Sequence, residues 1–353
     1  MTKLKLLLTG ATGFIGMNFI LQLHDKYAIT ALVRKTSNTE KIKSHCEIYC
    51  YDENPQSLLQ LFQKEHFDGI VHLATLYLAN HTPQDIKNLI DSNIRFSCEI
   101  LESCTINPPI FFINALSYFE YANSKNYNPA NFYSATKHAF YNICKYYANS
   151  LPTTFSHLML YDTYGSNDTR AKIFNIWQKI AKNGEVLEMS KGEQRLDISH
   201  IHDVINGYDT LITLCLNKQA INNQIYTLEN KRHSLKELAV IFEKYTNSKL
   251  NIKWGAKPYR ENEIMEPITS KDSSLLQRLP TWNPKITLQE GFKMLINAKI
   301  MGGGGKILLF LNPLPLFFQK FIPHKYLLKK FKKILQISFI KIFISNIIYP
   351  HLF

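Results

Sequence analysis

The chain has 353 residues, 45% of them hydrophobic and 20% charged, enough for a sizeable core in one large or two fused domains of a soluble globular protein. Its formal net charge is +13 at pH 7, but residues 301–353 hold eight lysines and no acid, so residues 1–300 carry only +5. A body so mildly basic suits a phosphate-bearing ligand and gives no case for nucleic acid.

In chain order, the apolar run Leu4–Leu8 predicts a strand, followed by Thr9-Gly10-Ala11-Thr12-Gly13-Phe14-Ile15-Gly16 and an apolar-periodic helix through Leu21. Strands are expected at Ala28–Val33 and Glu47–Tyr51, a helix at Pro55–Glu65, and a fourth strand at Gly69–Ala74. One long helix over Pro83–Ile106, a strand at Ile110–Asn114, a helix over Asn131–Tyr147 and a strand at Thr154–Leu160 complete the regular part. Such alternation implies an α/β, Rossmann-type doubly wound parallel sheet over residues 1–165, with its ligand at the carboxyl ends of the strands. Helix signals at Lys172–Lys182, Asp203–Leu216, Ser234–Tyr245 and Leu288–Ala298, mixed with short strands such as Gln224–Leu228, predict a smaller mixed α/β C-terminal substrate lobe over 166–300, with some segments returning to the sheet.

Two motifs carry chemistry. A strand–turn–helix with Gly10, Gly13 and Gly16 sets backbone N–H groups and a helix dipole against a phosphate, with Thr12, Phe14 and Ile15 in the same turn. The spacing G-x-x-G-x-x-G is only a partial match to the general dinucleotide fingerprint, and three glycines alone can make a flexible turn. Tyr133 and Lys137, four apart on one helix face, form a phenol–ammonium pair in which the cation is expected to lower the phenol pKa toward acid/base use near neutrality. As an isolated pair Y-x-x-x-K is weak; behind a glycine-rich turn it becomes strong.

At the end of the second strand the chain reads Leu32-Val33-Arg34-Lys35, with no acid to bind an adenosine ribose 2′-OH and a guanidinium able to pair with a 2′-phosphate. NADP(H) is therefore expected ahead of NAD(H), the alternative being that Arg34 is a solvated surface arginine. Asp52 follows the third strand, where it can cap the helix near Pro55. His200 and His202 have no third metal-type residue spaced with them, and no metal site is expected. Cys46, Cys50, Cys98, Cys104, Cys144 and Cys215 contain no C-x-x-C pair, and no signal peptide fits before the first strand, so a cytoplasmic setting is expected.

From Met301 the composition changes. Gly302–Gly305 is a breaker, and the residues after it are mostly Leu, Ile, Phe and Lys, interrupted by Pro350, which makes a poor membrane span. This basic apolar tail reads either as a peripheral contact with an anionic membrane or as an unselected extension, such as a frame change at the glycine codons would produce.

The motif T-G-A-T-G-F-I-G, the strand end Val71-His72-Leu73-Ala74 and the Tyr133/Lys137 pair resemble the extended short-chain dehydrogenase/reductase superfamily over about residues 4–298. The stretches Phe112–Tyr121, Tyr127–Phe140, Leu160–Arg170 and Gly192–Asp197 are similar to the CDP-abequose and CDP-paratose synthase type. That resemblance implies a nucleotide-sugar 4-ketoreductase of surface-polysaccharide biosynthesis, with a nucleotide-sugar substrate and compatibility with a homodimer. It further implies Ser117, Tyr133 and Lys137 as the catalytic hydroxyl, tyrosine and lysine, Leu73 and Ala74 beside the cofactor, Asp52 at its adenine as the alternative to a helix cap, and Ser117, Asp162, Arg170 and Arg195 toward the substrate. Two alternatives are a nucleotide-sugar 4-epimerase retaining NAD, disfavoured by the missing acid, and an idle dinucleotide-binding subunit, disfavoured by the intact triad.

Overall fold

A computed structural model describes residues 2–302, so the expectations for the tail beyond Gly302 lie outside the described residues. In β1 (Lys5–Thr9) the consecutive leucines divide between the two faces of a sheet: Leu6 and Leu8 enter one core and Leu7 the other. A strand buried on both faces needs helices on both. They are supplied in order by α1 (Phe14–Leu23), β2 (Ala28–Arg34), β3 (Glu47–Tyr51), α2 (Pro55–Lys64), β4 (Gly69–His72), α3 (Ile86–Ile90), α4 (Phe96–Ser103), β5 (Phe111–Ser117), α5 (Phe132–Ser150) and β6 (Thr154–Leu160). The chain continues through β7 (Asp162–Tyr164), α6 (Ile173–Asn183), β8 (Leu187–Met189), β9 (Arg195–His200), α7 (Ile201–Leu216), β10 (Gln224–Thr227), β11 (Arg232–Ser234), α8 (Leu235–Thr246), β12 (Ile252–Trp254), β13 (Leu276–Arg278) and α9 (Leu288–Gly302).

The main sheet has eight parallel strands in the order β13-β10-β6-β5-β4-β1-β2-β3. Apolar faces of α1 and α7 cover one side, and those of α2, α4 and α5 the other. The strand order reverses between β1 and β4, which opens a crevice at their carboxyl ends. Leu6 lies opposite Gly69 and Thr9 opposite His72 in this register. β10 and β13 return from the C-terminal half to extend the sheet beyond β6.

A separate core gathers Phe174 and Trp177 of α6, Leu238 and Phe242 of α8, and Phe292 of α9 beneath the three-stranded sheet β11-β9-β7 and the pair β12-β8. These elements follow β7 and stand at the end of the sheet where β5 and β6 terminate, since β7 begins two residues after β6.

One predicted element is corrected. The expected continuous helix over 83–106 is a 3-10 turn at Pro83–Asp85, then α3, then a π turn at Asp91–Arg95, then α4. The π turn carries Asn93, whose buried side chain hydrogen-bonds backbone outside the helix, and the extra residue turns it toward that partner. Two strand ends also move. β4 stops at His72, leaving Leu73 and Ala74 in the loop, and β5 runs on to Ser117.

Candidate active site

The glycine turn is shaped by close approach. Gly10 has φ +66°, and a Cβ there would come within 2.6 Å of the Leu73 carbonyl carbon and 2.7 Å of the Ala74 nitrogen. A Cβ at Gly16 would collide with the Gly10 carbonyl, so α1 packs directly on the turn. Thr9 locks the same junction, its Oγ1 accepting the amides of Leu73 (3.1 Å) and Ala74 (3.0 Å). It therefore donates to His72 Nδ1 at 2.9 Å, which leaves His72 Nε2–H for Ser97 Oγ at 2.9 Å. Burial drives the His72 pKa down to about 3, and the imidazole is a neutral fixture.

α1 begins at Gly13 with no side-chain cap and no acid in its first turn. The positive end of the helix therefore faces the crevice unopposed, beside a backbone held too close for any side chain, and the residues present fit a dinucleotide diphosphate. Arg34, at the exposed end of β2, has no acidic partner among the described residues, and its backbone amide bonds Ser37 Oγ at 3.2 Å. Lys35 comes next, also exposed. Asp52 Oδ1 accepts from the Asn54 amide and from Ser57 Oγ, while Asn54 itself caps α2. These hydrogen bonds hold the Asp52 carboxyl below its ordinary range.

Ser117 ends β5, and Tyr133 and Lys137 lie in the first two turns of α5, whose start is fixed by a capping box between Asn131 and Ser134. All three are buried. The Ser117 and Thr75 hydroxyls act on the Tyr133 phenol and favour its ionised form, but burial, followed by the charge of Glu120 and the proximity of Tyr77, outweighs them and raises its pKa. The expected lowering by Lys137 is not found. Burial takes the Lys137 ammonium down to about 8, so the pair is held as neutral phenol and readily deprotonated ammonium.

Around Tyr133 the walls are aromatic. Tyr77 meets it edge-on at 4.9 Å between centroids, Phe119 lies 6.3 Å from Tyr77, and Tyr118 stacks between Phe119 (4.5 Å) and Tyr161 (5.6 Å). Tyr118 donates to Asp162 Oδ2 at 2.8 Å, and Lys172 stands 3.8 Å from the other Asp162 oxygen and 5.3 Å over the Tyr77 ring.

The two candidate arginines have different surroundings. The Arg170 guanidinium lies 4.5 Å over the Phe14 ring of the glycine turn and is gripped by Asp168 through Nε and Nη2, both 2.8 Å. Arg195 is half exposed on β9, 3.4 Å from Glu266, whose other oxygen takes Arg232 at 2.6 Å. Arg232 also neighbours buried Asp197 at 3.6 Å, whose pKa burial pushes up to about 7. Among the described residues no group of three or more His, Cys, Asp and Glu could hold a metal ion, and no helix is long and apolar enough to cross a membrane.

Sequence reasoning missed Thr75, Tyr77, Asn93, Glu120 and Arg232. Thr75 directly follows Leu73 and Ala74 in the loop after β4, where a polar residue at the crevice is a readable signal. Asn93 grips the same loop through Leu76 N (2.7 Å), Leu76 O (3.0 Å) and Thr75 Oγ1 (3.0 Å), and donates to Thr136 Oγ1 of α5 at 2.9 Å. Its only sequence clue is a poor helix former inside a helix.

The model of the NAD dependent epimerase/dehydratase family matches residues 6–226. The chain is 31% identical over 301 residues to a CDP-abequose synthase of Salmonella muenchen, covering 84% of this chain and 98% of that protein. It is 29% identical over 275 residues to a CDP-abequose synthase of Yersinia pseudotuberculosis, covering 75% and 92%. Among solved structures it is similar in fold to a UDP-glucose 4-epimerase of Thermotoga maritima, with TM-score 0.72, 17% identity and coverage of 85% of this chain and 99% of that one. A UDP-glucuronic acid 4-epimerase from Bacillus cereus, in complex with UDP-glucuronic acid and NAD, gives TM-score 0.71 at 20% identity, with coverage of 84% and 100%.

Proposed function

The chain belongs to the NAD-dependent epimerase/dehydratase family, and from that premise we propose that it reduces the 4-keto group of a nucleotide-linked deoxy sugar, with NADPH preferred over NADH, in surface-polysaccharide biosynthesis. The observation that carries the reading is the placement of buried Ser117, at the end of β5, with buried Tyr133 and Lys137, in the first two turns of α5. Reduction of a carbonyl needs a proton donor at its oxygen, and an un-ionised phenol holds that proton at neutral pH.

When bound, the nicotinamide nucleotide supplies the hydride to the carbonyl carbon. Tyr133 gives its proton to the carbonyl oxygen, and Ser117 holds that oxygen by hydrogen bond while charge develops. Lys137 binds the nicotinamide ribose and stabilises the phenolate left on Tyr133. Gly10, Thr12, Gly13, Phe14, Ile15 and Gly16 would hold the cofactor diphosphate, with Leu73 and Ala74 beside it, Asp52 toward its adenine, and Arg34 with Lys35 toward a 2′-phosphate. Asp162 and Arg195 hold the substrate, Arg195 at its diphosphate. Arg170 leans on the cofactor turn and would leave Asp168 to join that contact.

The rings of Tyr77 and Phe119 offer carbon where a hydroxyl-rich hexose would need partners, which favours a ring lacking hydroxyls. The CDP-abequose synthases support the same substrate class. Similarity to NAD-bound 4-epimerases favours a second reading, nucleotide-sugar epimerisation with retained NAD. Purified protein offered CDP- and UDP-linked 4-keto sugars with NADPH or NADH, followed by nicotinamide absorbance, separates the two. Stoichiometric nicotinamide oxidation supports reduction. Interconversion of 4-hydroxy sugars without net oxidation supports epimerisation, and no reaction with either class refutes both in favour of an idle binding subunit.

A further inference from the structure

Glu120 is fully buried, at 0% exposure, in the short turn Tyr118–Glu120 between β5 and α5. A carboxylate in that position persists only when its oxygens are bonded and its charge is answered. Oε1 accepts the backbone N–H of Ser117 at 3.0 Å, and Oε2 lies 3.1 Å from Nδ1 of His138, the residue after Lys137. One side chain thus joins the strand end that presents Ser117 to the helix turn that presents Lys137. Tyr127 stacks on His138 at 3.9 Å and closes the outer side. Capping the turn requires only an acceptor, which a neutral amide would supply, so the cap does not account for the charge.

We propose that Glu120 is a positioning residue that supplies the buried counter-charge keeping Lys137 protonated and fixes it relative to Ser117. This rests on Lys137 and Ser117 being the active-site groups proposed above. Burial acts against the Lys137 ammonium, and the leading opposing influence is the Glu120 charge. The remaining titratable groups that interact with Lys137 do not substitute for it. Cys144, two turns further along α5, is held as a thiol by burial, and His72 of β4 and His157 of β6 are held neutral by burial.

The test measures NADPH binding by nicotinamide fluorescence, and turnover of a CDP-linked 4-keto-dideoxy sugar, as functions of pH. Glu120→Gln keeps an acceptor for Ser117 and removes the charge, so the alkaline limb set by Lys137 should move to lower pH by about one unit or more. In acid, where Lys137 stays protonated without help, variant and wild type should converge. Glu120→Asp, which retains the charge, should keep the wild-type limb. An unmoved limb in Glu120→Gln, or a limb displaced equally in Glu120→Asp, overturns the proposal and leaves Glu120 a turn cap; if Glu120→Gln does not fold, the Glu120→Asp limb decides alone. Lys137→Met separates the two levels of argument. If it binds NADPH and turns over like wild type, the active-site reading falls and the proposal with it, whereas an inactive Lys137→Met beside an unmoved Glu120→Gln limb refutes the role of Glu120 alone.

Discussion

Replacing Tyr133 by Phe removes one oxygen and keeps the ring that Tyr77 meets edge-on at 4.9 Å. The lost hydroxyl is flanked by the Ser117 and Thr75 hydroxyls, which have alternative partners in the Phe119 amide and Asn93 Oδ1. Folding stability should therefore change by no more than about 1 kcal/mol. Neither remaining hydroxyl is acidic enough to replace a phenol as proton donor, so the whole general-acid contribution is lost. That contribution is roughly a hundredfold to ten-thousandfold, or about 3–5.5 kcal/mol of barrier. The fall should appear in kcat, with NADPH affinity within about twofold of wild type, because the phenol proton is used only as the carbonyl is reduced. Steady-state nicotinamide oxidation measures the first quantity and cofactor fluorescence the second. Turnover within about threefold of wild type would show that the proton comes from elsewhere, and loss of NADPH binding together with turnover would show that Tyr133 shapes the cofactor site instead.

Three further outcomes are expected. Arg34→Asp should change the ratio of kcat/KM for NADPH over NADH by about tenfold or more toward NADH, since the carboxylate repels a 2′-phosphate and accepts a ribose hydroxyl; an unchanged ratio places Arg34 outside the pocket. Arg195→Ala should raise the KM for the nucleotide sugar about tenfold with little change in kcat, the loss expected for one charged hydrogen-bonding partner remote from the carbonyl; a fall confined to kcat places Arg195 at the chemistry. His72 has a folded pKa of about 3 against an ordinary 6.5, so between those values the unfolded chain binds a proton that the folded one does not, and stability falls on acidification by about 1.4 kcal/mol per pH unit. His72→Asn should flatten that dependence by the same amount in denaturant titrations at pH values between the two pKa values, and an unchanged slope would show that His72 is not the group responsible.

The sequence by itself determined the winding of the sheet. Leu6-Leu7-Leu8 reads as a buried strand, Gly10, Gly13 and Gly16 as a turn into a helix, and the Tyr133/Lys137 interval as a shared helix face. These are local signals, each readable within a few residues, and together they place a ligand at the carboxyl ends of the strands; the sheet order sets the crevice between β1 and β4. What only the tertiary structure decided depends on residues distant in sequence. That Thr75 stands by Tyr133 follows from β4 and α5 converging on one loop, and Asn93 reaches that loop only because a π turn interrupts a helix whose periodicity looked continuous. The direction of the Tyr133 pKa was misjudged for the same reason. The i, i+4 spacing gives proximity to an ammonium, whereas burial and the charge of Glu120, arriving from a different element, set the sign. Proximity along a helix is written in the sequence; the dielectric and the counter-charges around a buried group come from everything that packs on it.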